Sequence, residues 1–373
     1  MSDFSVPVVR LDLVETHPDA DRVELARIGG YTSVVPKGMY KTGDLAVYIP
    51  ENAVVPDWIL QDQGLVGMLS GSQKNRVKPR RFRGVFSEGL VVPTVLGHNL
   101  NGDHQTIQFF VEQDDISEDL GIIKYEPPIP TNLRGQVGAL FGYTRGYDFE
   151  NIKKYPHLFD DDDVVSLTEK IHGTYMQVGW CADLAPREDL FGDGRVWVTS
   201  KGIAGKGMYI KNVPENADNL YVKTALAHNL TETLIIIGKV LGAGRIYAMG
   251  EVAGDVQDLK YGCKPGHYFF RLFDVYIDKG DGGKFFGLDS LHRVARDLGV
   301  EVVPTIVEGV WADIRPKLMD YTRGKSLLAP NQIREGVVIK TVTEQRHPRF
   351  GRKIAKSVSE DYLLRKGETT ELQ

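Results

Sequence analysis

A proline-rich segment at residues 126–131 divides the 373-residue chain into two parts. It reads Glu-Pro-Pro-Ile-Pro-Thr, and a run so rich in proline can continue neither a strand nor a helix. Such a segment is typical of a stiff, extended linker. The chain is long enough for two or three domains. We therefore predict one domain over residues 1–126, a linker over residues 127–147 and a second domain over residues 148–373.

Composition excludes several classes of protein. The chain is 42% hydrophobic and 25% charged, which is ordinary for a folded soluble protein. Its formal net charge of -5 argues against nucleic-acid binding through overall charge, so such binding requires a local basic patch. The cysteines, Cys181 and Cys263, suit neither a metal site nor a disulfide framework. Because no secretion signal or membrane-spanning run is found, we expect a cytoplasmic protein, or a nuclear one if eukaryotic, that is neither secreted nor membrane-bound.

Short apolar runs broken by glycine and proline fill residues 6–93, a pattern typical of a small antiparallel β-barrel. The predicted strands cover residues 8–11, 23–26, 45–50 and 89–93. Between the first two, residues 17–22 read His-Pro-Asp-Ala-Asp-Arg and resemble the loop with which the oligonucleotide/oligosaccharide-binding (OB) domains of synthetases hold tRNA. The same residue types are good turn formers, so a plain turn remains the alternative.

A basic segment in this first half is the main indication of a nucleic-acid interface. Its cations, with no acidic residue between them, are Lys74, Arg76, Lys78, Arg80, Arg81 and Arg83. In an extended chain the first four would project from one face, which suits a phosphate backbone, and Phe82 could stack on a base. The alternative is a solvated edge strand whose positive charge prevents aggregation. We predict that these six residues bind nucleic acid.

The second half interleaves β-runs with two helical segments, which indicates an α+β fold and not a βαβ repeat. Helices are predicted over residues 217–241, with Gly238 as a weak point, and over residues 288–298, ended by Gly299. Residues 148–155 also have a short helical pattern. The predicted strands cover residues 164–168, 175–179, 196–199, 246–249, 268–277 and 336–339. The four aspartates at residues 160–163 are predicted to be a solvated charge run.

Lys170 is the candidate nucleophile because it follows a predicted strand and precedes Ile171, His172 and Gly173. A lysine amine is a poor nucleophile at its ordinary pKa of about 10.4, but burial or a neighbouring cation can lower that pKa. The alternative is a solvated lysine at a strand end. His172 could help to position a substrate 5' end or could pack beneath the lysine.

Five motifs in a fixed order give this lysine its context. They are residues 170–173 (Lys-Ile-His-Gly), 247–252 (Tyr-Ala-Met-Gly-Glu-Val), 270–275 (Phe-Arg-Leu-Phe-Asp-Val), 334–340 (Arg-Glu-Gly-Val-Val-Ile-Lys) and 353–356 (Lys-Ile-Ala-Lys). In this order the chain resembles the covalent nucleotidyltransferases, and within them the RNA ligases of the Deinococcus type. DNA ligases and capping enzymes usually carry aspartate in place of His172, so the histidine favours RNA ligases, as does the lack of a second barrel domain after the fifth motif.

The resemblance implies a fold and a reaction. The fold is an N-terminal OB-like β-barrel domain followed by an antiparallel-sheet, ATP-grasp-like nucleotidyltransferase domain. The reaction has three steps, in which Lys170 takes AMP from ATP, AMP moves to a 5'-phosphate, and a 3'-hydroxyl displaces AMP. The implied cofactors are ATP and Mg²⁺ or Mn²⁺, and the implied partners are RNA ends or a nicked duplex with an RNA 3'-hydroxyl strand.

The resemblance also assigns site residues. Positions matching the family's nucleotide contacts are Glu169, Lys170, Gly173, Lys201, Glu251, Phe270, Glu335, Lys340 and Lys356. Lys340 and Lys356 would contact the phosphate during transfer and disfavour the charged form of Lys170. Glu251 and Glu335 would hold ribose hydroxyls or the water shell of the metal. Phe270 would stack on adenine, with Phe273 as the alternative, since strand alternation sends the two rings to opposite faces.

Two departures from the family pattern leave alternatives open. Lys201 stands where relatives usually have arginine. The fifth motif has its lysines three residues apart, so that Lys356 matches the pattern and Lys353 points elsewhere. Besides an RNA ligase, the sequence is consistent with an RNA- or tRNA-binding protein whose nucleotidyltransferase domain is inactive, or with a DNA ligase.

Overall fold

The computed structural model describes residues 4–96, 105–106, 110–126 and 135–365. The chain divides into two compact units, of which the first comprises Ser2–Glu126 with Ile152–Pro156 and the second comprises Pro127–Asn151 with His157–Gln373. The proline segment at residues 127–130 lies outside the described residues. In the part of the chain that the structure describes, no helix has the length and apolar character needed to cross a membrane.

The first unit is built from short strands. They are β1 (Val8–Arg10), β2 (Leu13–Thr16), β3 (Val23–Ile28), β4 (Tyr31–Pro36), β5 (Leu45–Ile49), β6 (Ala53–Val54), β7 (Arg80–Phe82), β8 (Val85–Ser87), β9 (Leu90–Pro93), β10 (Val95–Leu96), β11 (Gln105–Thr106) and β12 (Ile123–Lys124), with helices α1 (Asp57–Asp62) and α2 (Ser117–Leu120). Two antiparallel three-stranded sheets, β1-β5-β9 and β2-β3-β4, form its framework. The OB-like architecture is present, but the described strands pair as separate sheets and not as one closed barrel.

The second unit carries the longer strands. They are β13 (Val137–Ala139), β14 (Val164–Lys170), β15 (Thr174–Cys181), β16 (Val196–Ser200), β17 (Met208–Ile210), β18 (Arg245–Gly254), β19 (Tyr268–Asp278), β20 (Lys284–Phe285), β21 (Glu301–Val302), β22 (Thr305–Val310), β23 (Gly336–Thr341), β24 (Arg346–His347), β25 (Gly351–Arg352) and β26 (Ile354–Val358). Its helices are α3 (Lys201–Ala204), α4 (Leu220–Ala227), α5 (Leu230–Val240), α6 (Leu288–Leu298), α7 (Trp311–Ile314), α8 (Leu318–Thr322) and α9 (Glu360–Leu363).

Two sheets organise this unit. The larger is β13-β17-β16-β15-β18-β19-β20, with β21 as an additional parallel neighbour of β19, and the smaller is β22-β14-β23-β26. Helices α4 to α6 cover one face of the larger sheet, where alternate residues such as Met176, Ile246 and Leu272 form a buried core with them. The apolar alternation of the strands therefore separates a helix-covered face from a face that carries polar side chains.

The α+β prediction is confirmed, and several local predictions are corrected. Helix 288–298 is confirmed, and Gly299 ends it in a left-handed conformation at φ 67°. The predicted helix 217–241 is two helices that break at Asn229, with φ 50°, and not at Gly238, which packs against the Trp180 ring. No helix forms over 148–155, where Asn151 bridges to Lys356. The expected linker 127–147 contains strand β13 of the larger sheet.

Candidate active site

Lys170 is the last residue of β14, and its side chain forms an ion pair with Glu335. Lys170 Nζ lies 2.5 Å from Glu335 Oε1. The glutamate is buried, whereas the lysine remains 27% exposed, so a substrate can reach the amine. Glu335 immediately precedes β23, whose first residue Gly336 pairs with Lys170. The strand pairing therefore brings the first and fourth sequence motifs together.

The register of the smaller sheet places three lysines on one face. Lys170 of β14 pairs with Gly336 of β23, and Lys340 of β23 pairs with Ser166 of β14. Lys356 on β26 pairs with Val338 of β23. Because directly paired residues project to the same side and side chains alternate along a strand, Lys170, Lys340 and Lys356 share one face. Such a face is suited to a ligand with several negative charges.

Lys340 is anchored by groups of the larger sheet that the sequence reasoning missed. Its Nζ donates to the Phe273 carbonyl at 2.8 Å and lies 3.4 Å from Asp274 Oδ1. Arg352 binds both oxygens of Asp274, and the Tyr147 hydroxyl donates to Asp274 Oδ2 at 2.7 Å. Burial lowers the pKa of Lys340, and the nearby Asp274 opposes that shift. The available signal for Asp274 was its place in the third of the five motifs.

Asp274 itself is completely buried and remains charged. Burial acts to raise its pKa, but the positive charges of Arg352 and Lys340 hold that pKa below the usual range. Arg352 also binds Glu344, with Nε 2.7 Å from Oε1. This network links the two sheets behind Lys340 through fixed ionic hydrogen bonds.

Glu251 lies on β18 opposite Tyr175 and next to the positive charge of Lys170. Burial raises its pKa to about 8, while Lys170 and Lys201 lower it and Glu335 raises it further. The backbone of Gly173 donates a hydrogen bond to it. A Cβ on Gly173 would overlap the Val252 carbonyl, which explains why glycine is required there.

The Glu251 carboxylate therefore lacks full compensation for its negative charge, a condition that favours binding of a cation or of hydroxyl donors. Lys201 begins α3 directly after β16, and its Nζ lies 3.4 Å from Asp148 Oδ1. The positive charge of Lys201 also acts on Glu251, whose pKa it lowers.

His172 is buried behind Glu335, so the structure favours the packing alternative for this residue over direct contact with a substrate end. Its Nε2 lies 2.6 Å from Asp258 Oδ1, and its Nδ1 lies 2.8 Å from the Tyr362 hydroxyl. Burial lowers the pKa of His172, whereas the carboxylates of Glu335 and Asp258 raise it. Asp258 and Tyr362 lie outside the five motifs, and no sequence pattern pointed to them.

Comparison with known proteins assigns the family. A model described as RNA ligase matches residues 163–358, which is more than half of the chain and spans all five motifs. The chain belongs to the RNA ligase family. A model described as an OB-fold domain matches residues 5–94 of the ligase. No protein of the curated set matches its sequence.

Solved structures similar to this ligase include several of an RNA ligase from Naegleria gruberi. An apo variant has a TM-score of 0.75 and 23% sequence identity, covering 96% of this chain and 97% of that chain. The form with pyrophosphate has a TM-score of 0.74 and 23% identity, over 97% and 98% of the two chains. A variant with ATP and Mn gives a TM-score of 0.74 and 23% identity, again over 97% and 98%. At this identity the likeness shows a common fold.

The structure places Phe270 away from the lysines of the ligase, so its assignment as the adenine-stacking ring is wrong. Phe270 is buried in the core beneath the helices, where its ring lies over Gly250, and a Cβ there would overlap it. Residues three apart in a strand project to opposite faces, so Phe273 lies on the other side of the sheet. Phe273 packs on the opposite face with Tyr147 and Tyr175, at centroid distances of 5.2 Å and 6.0 Å. The alternative ring, Phe273, is therefore the one on the site's face.

Glu169 of the ligase points away from the shared lysine face. Its Oε2 accepts a hydrogen bond from the Leu327 backbone at 2.7 Å, and burial raises its pKa. Adjacent residues in a strand project to opposite faces, so the carboxylate does not join Lys170. A nucleotide contact by Glu169 remains a prediction that depends on the family resemblance.

The aspartate run at residues 160–163 is only partly solvated, which corrects the sequence interpretation. Asp163 is buried, and its Oδ2 lies 2.7 Å from Lys353 Nζ. Asp160 forms a second ion pair with the same lysine at 2.6 Å. Lys353 therefore does not join the face shared by Lys170, Lys340 and Lys356, as its mismatch with the family spacing predicted. Its two ion pairs instead stabilise the segment that leads into β14.

The basic segment of the OB-fold unit is not one extended strand, so the prediction of four cations on one strand face is wrong. Lys74 lies in a turn with φ 56°, and Lys78 lies outside regular structure. Arg76 is partly buried, with its guanidinium 3.8 Å from the centre of the Tyr125 ring. The turn at Lys74 and the irregular residues 77–79 interrupt the alternation, and only the end of the segment enters a hairpin, β7–β8.

Proposed function

We propose that this RNA ligase uses ATP to join a 3'-hydroxyl end to a 5'-phosphate end through a covalent AMP adduct of Lys170. The observation that carries the proposal is the shared face of Lys170, Lys340 and Lys356, with Lys170 paired to a buried carboxylate. A nucleophilic amine beside two further cations matches the needs of phosphoryl transfer, in which negative charge must be neutralised around the reacting group. The Naegleria gruberi RNA ligase described with ATP and Mn supports ATP as the substrate.

Each step assigns a role to the residues of this chain. The Lys170 amine attacks the α-phosphorus of ATP, forms a nitrogen–phosphorus bond and releases pyrophosphate. A 5'-phosphate oxygen of RNA then attacks the same phosphorus, which regenerates Lys170 and gives an adenylylated 5' end. The RNA 3'-hydroxyl finally attacks the 5'-phosphorus, and AMP leaves. Lys340 and Lys356 would neutralise phosphate oxygens, and Phe273 would contact adenine.

A divalent cation fits the carboxylates of the site. Glu335 Oε2 is buried and has no hydrogen-bond partner among the described residues. Glu251 carries a strongly raised pKa, as expected for a carboxylate without its counter-ion. The described residues form no group of three or more side chains suited to holding a metal alone. Mg²⁺ usually keeps several waters and shares phosphate oxygens with one or two carboxylates, so Glu251 and Glu335 would hold it. When bound, the cation neutralises phosphate charge.

The OB-fold unit provides a candidate surface for the RNA partner. Arg80, Arg81 and Phe82 form the exposed strand β7, and Arg83 follows in its turn. This hairpin contacts the 17–22 loop, because His17 Nε2 lies 3.1 Å from the Phe82 carbonyl and Arg83 donates to the Asp19 carbonyl at 3.0 Å. The end of the basic segment and the 17–22 loop therefore lie side by side. Exposed arginines beside an exposed aromatic ring suit a phosphate backbone with a stacked base.

The decisive test of the enzyme is self-labelling. The purified protein would be incubated with ATP labelled at the α-phosphate and with Mg²⁺ or Mn²⁺, then separated under denaturing conditions. We expect a covalent label on the wild-type protein and none on Lys170→Met. A label retained by Lys170→Met, or no label on the wild type, contradicts the proposal. Lys41→Met is a suitable control, since Lys41 is an exposed lysine of the OB-fold unit.

The polymer is tested with matched nicked duplexes that carry either an RNA or a DNA 3'-hydroxyl strand. We expect sealing of the RNA-ended nick, and sealing of all-DNA nicks alone would identify a DNA ligase. Neutralising Arg80 and Arg83 should weaken RNA binding. It should also make the slope of the logarithm of the binding constant against the logarithm of the salt concentration less steep, by about 0.7 for each lost phosphate contact. Lys37 and Lys41, exposed cations of the same unit, provide the matched control. Tight RNA binding without self-labelling would favour the inactive-domain alternative.

A further inference from the structure

Two separate segments hold the imidazole of His172. Its Nε2 lies 2.6 Å from Asp258 Oδ1 in the loop after β18, and its Nδ1 lies 2.8 Å from the Tyr362 hydroxyl of α9. The backbone N–H of His172 donates to the Tyr261 hydroxyl at 2.6 Å. The side chain is only 3% exposed. Because both ring nitrogens are bonded inside the protein, the ring cannot turn without losing a buried hydrogen bond.

Arg365 joins these two segments. Its Nε lies 2.7 Å from Asp258 Oδ2, and its guanidinium carbon lies 3.6 Å from the centre of the Tyr362 ring. Burial acts to raise the pKa of Asp258, but Arg365 and His172 lower it to about 2, so the carboxylate stays charged. In the same loop, the Gln257 amide donates to the Gly173 carbonyl. The loop therefore forms hydrogen bonds with two consecutive residues of the first motif, His172 and Gly173.

The held imidazole borders the carboxylate that pairs with the nucleophile. Glu335 Oε1 binds Lys170, whereas Glu335 Oε2 lies 3.9 Å from His172 Nδ1, which is too far for a hydrogen bond. The Tyr362 hydroxyl occupies Nδ1 and so keeps the imidazole from bonding to Oε2. The residue before α9 also holds the backbone of Glu335, because the Ser359 N–H donates to the Glu335 carbonyl at 2.8 Å.

We propose that Asp258, Tyr362 and Arg365 are positioning residues for the adenylylation step. They hold His172 in one orientation, and the held ring leaves Glu335 paired with Lys170 through Oε1, while the buried Oε2 makes no hydrogen bond with the described residues. The inference rests on the proposed function, since it concerns the reactivity of Lys170. Without the Tyr362 hydroxyl or the Asp258 charge, the imidazole is free to turn toward Oε2 and to draw Glu335 away from the nucleophile.

The test measures the rate of self-labelling over a range of ATP concentrations for Asp258→Asn and Tyr362→Phe. We expect the maximal rate to fall about tenfold in each variant, as for other supporting residues behind a reactive group, while the half-saturating ATP concentration changes by less than about twofold. ATP affinity, measured by calorimetry with Lys170→Met added to each variant, should likewise stay unchanged. Asp255→Asn is the matched control, because Asp255 lies in the same loop and pairs with Lys260 and not with His172.

The outcomes are distinguishable. An unchanged maximal rate in both variants overturns the positioning role. So does an equal loss in Asp255→Asn, because that loss would reflect a loosened loop. If Asp258→Asn fails to fold, Tyr362→Phe removes only one hydroxyl and decides the question alone. A wild-type protein without label overturns the proposed function and this inference together, whereas a labelled wild type with unaffected variants overturns only the inference.

Discussion

Lys170 and Glu335 are separated by 165 residues in the chain and by 2.5 Å between Nζ and Oε1 in the structure. The lysine ends one strand and the glutamate precedes its antiparallel neighbour, so the pair forms wherever that register is kept. The glutamate is buried, so in the unliganded protein the positive charge of Lys170 is the main compensation for its negative charge.

The first prediction concerns this ion pair. Glu335→Gln removes the negative charge that positions the Lys170 amine, and we expect the rate of self-labelling to fall about 10-fold to 100-fold. The measurement is the initial rate of label incorporation at saturating ATP. Glu308→Gln, at an exposed position on β22, serves as the control and should label at the wild-type rate. A normal rate in Glu335→Gln would show that the pair has no part in the chemistry.

The second prediction is a pH dependence of stability. The pKa of Glu251 in the folded protein is raised from 4.5 to about 8, so between these values the folded protein keeps a proton that the unfolded chain has lost. Stability therefore falls as the pH rises through this window, and the loss is complete above the folded pKa.

Glu251→Gln lacks this titration. In metal-free denaturation experiments, its stability relative to wild type should be greater at about pH 9 than at about pH 5. A difference between variant and wild type that does not change with pH would contradict the raised pKa.

The third prediction separates the two phenylalanines of β19. Phe270→Ala leaves a cavity in the core beneath the helices and should cost about 3–5 kcal/mol of unfolding free energy. Phe273→Leu keeps most of the apolar volume but removes an aromatic surface from the face of the site. We expect it to raise the half-saturating ATP concentration in the labelling assay with a much smaller loss of stability. The opposite pattern, with ATP affinity sensitive to Phe270, would restore the original sequence assignment.

The fourth prediction concerns Asp274. Asp274→Asn leaves the buried Arg352 and Lys340 without their shared counter-ion, and breaking such a pair costs about 3–5 kcal/mol. Chemical denaturation measures this loss. Asp278→Asn, on the same strand, is a control, because Asp278 Oδ1 accepts an exposed turn hydrogen bond from the Gly280 backbone at 2.7 Å. Equal stabilities of the two variants would show that the network contributes little.

The five ordered motifs allowed the family and the nucleophile candidate to be predicted from sequence, and the RNA ligase family match bears out the family. The interleaving of β-runs with two helical segments predicted the α+β class. The strands around Lys170 were predictable because short runs with β-branched and other apolar residues mark them, and nearly all residues of these strands are buried in the structure. Helix 288–298 was predictable because its apolar spacing and its terminal glycine agree.

The sequence by itself determined which residue types could do chemistry and in which order they occur. The tertiary structure alone decided which of them meet. Phe270 and Phe273 could not be assigned from the sequence, because only the packing of the helices on one face of the larger sheet decides which of the two rings is buried in the core. Asp258 and Tyr362 could not be found, because hydrogen bonds to His172 depend on loop and helix packing far along the chain. Strand alternation is local, whereas register, burial and ion pairing arise only when distant segments pack together.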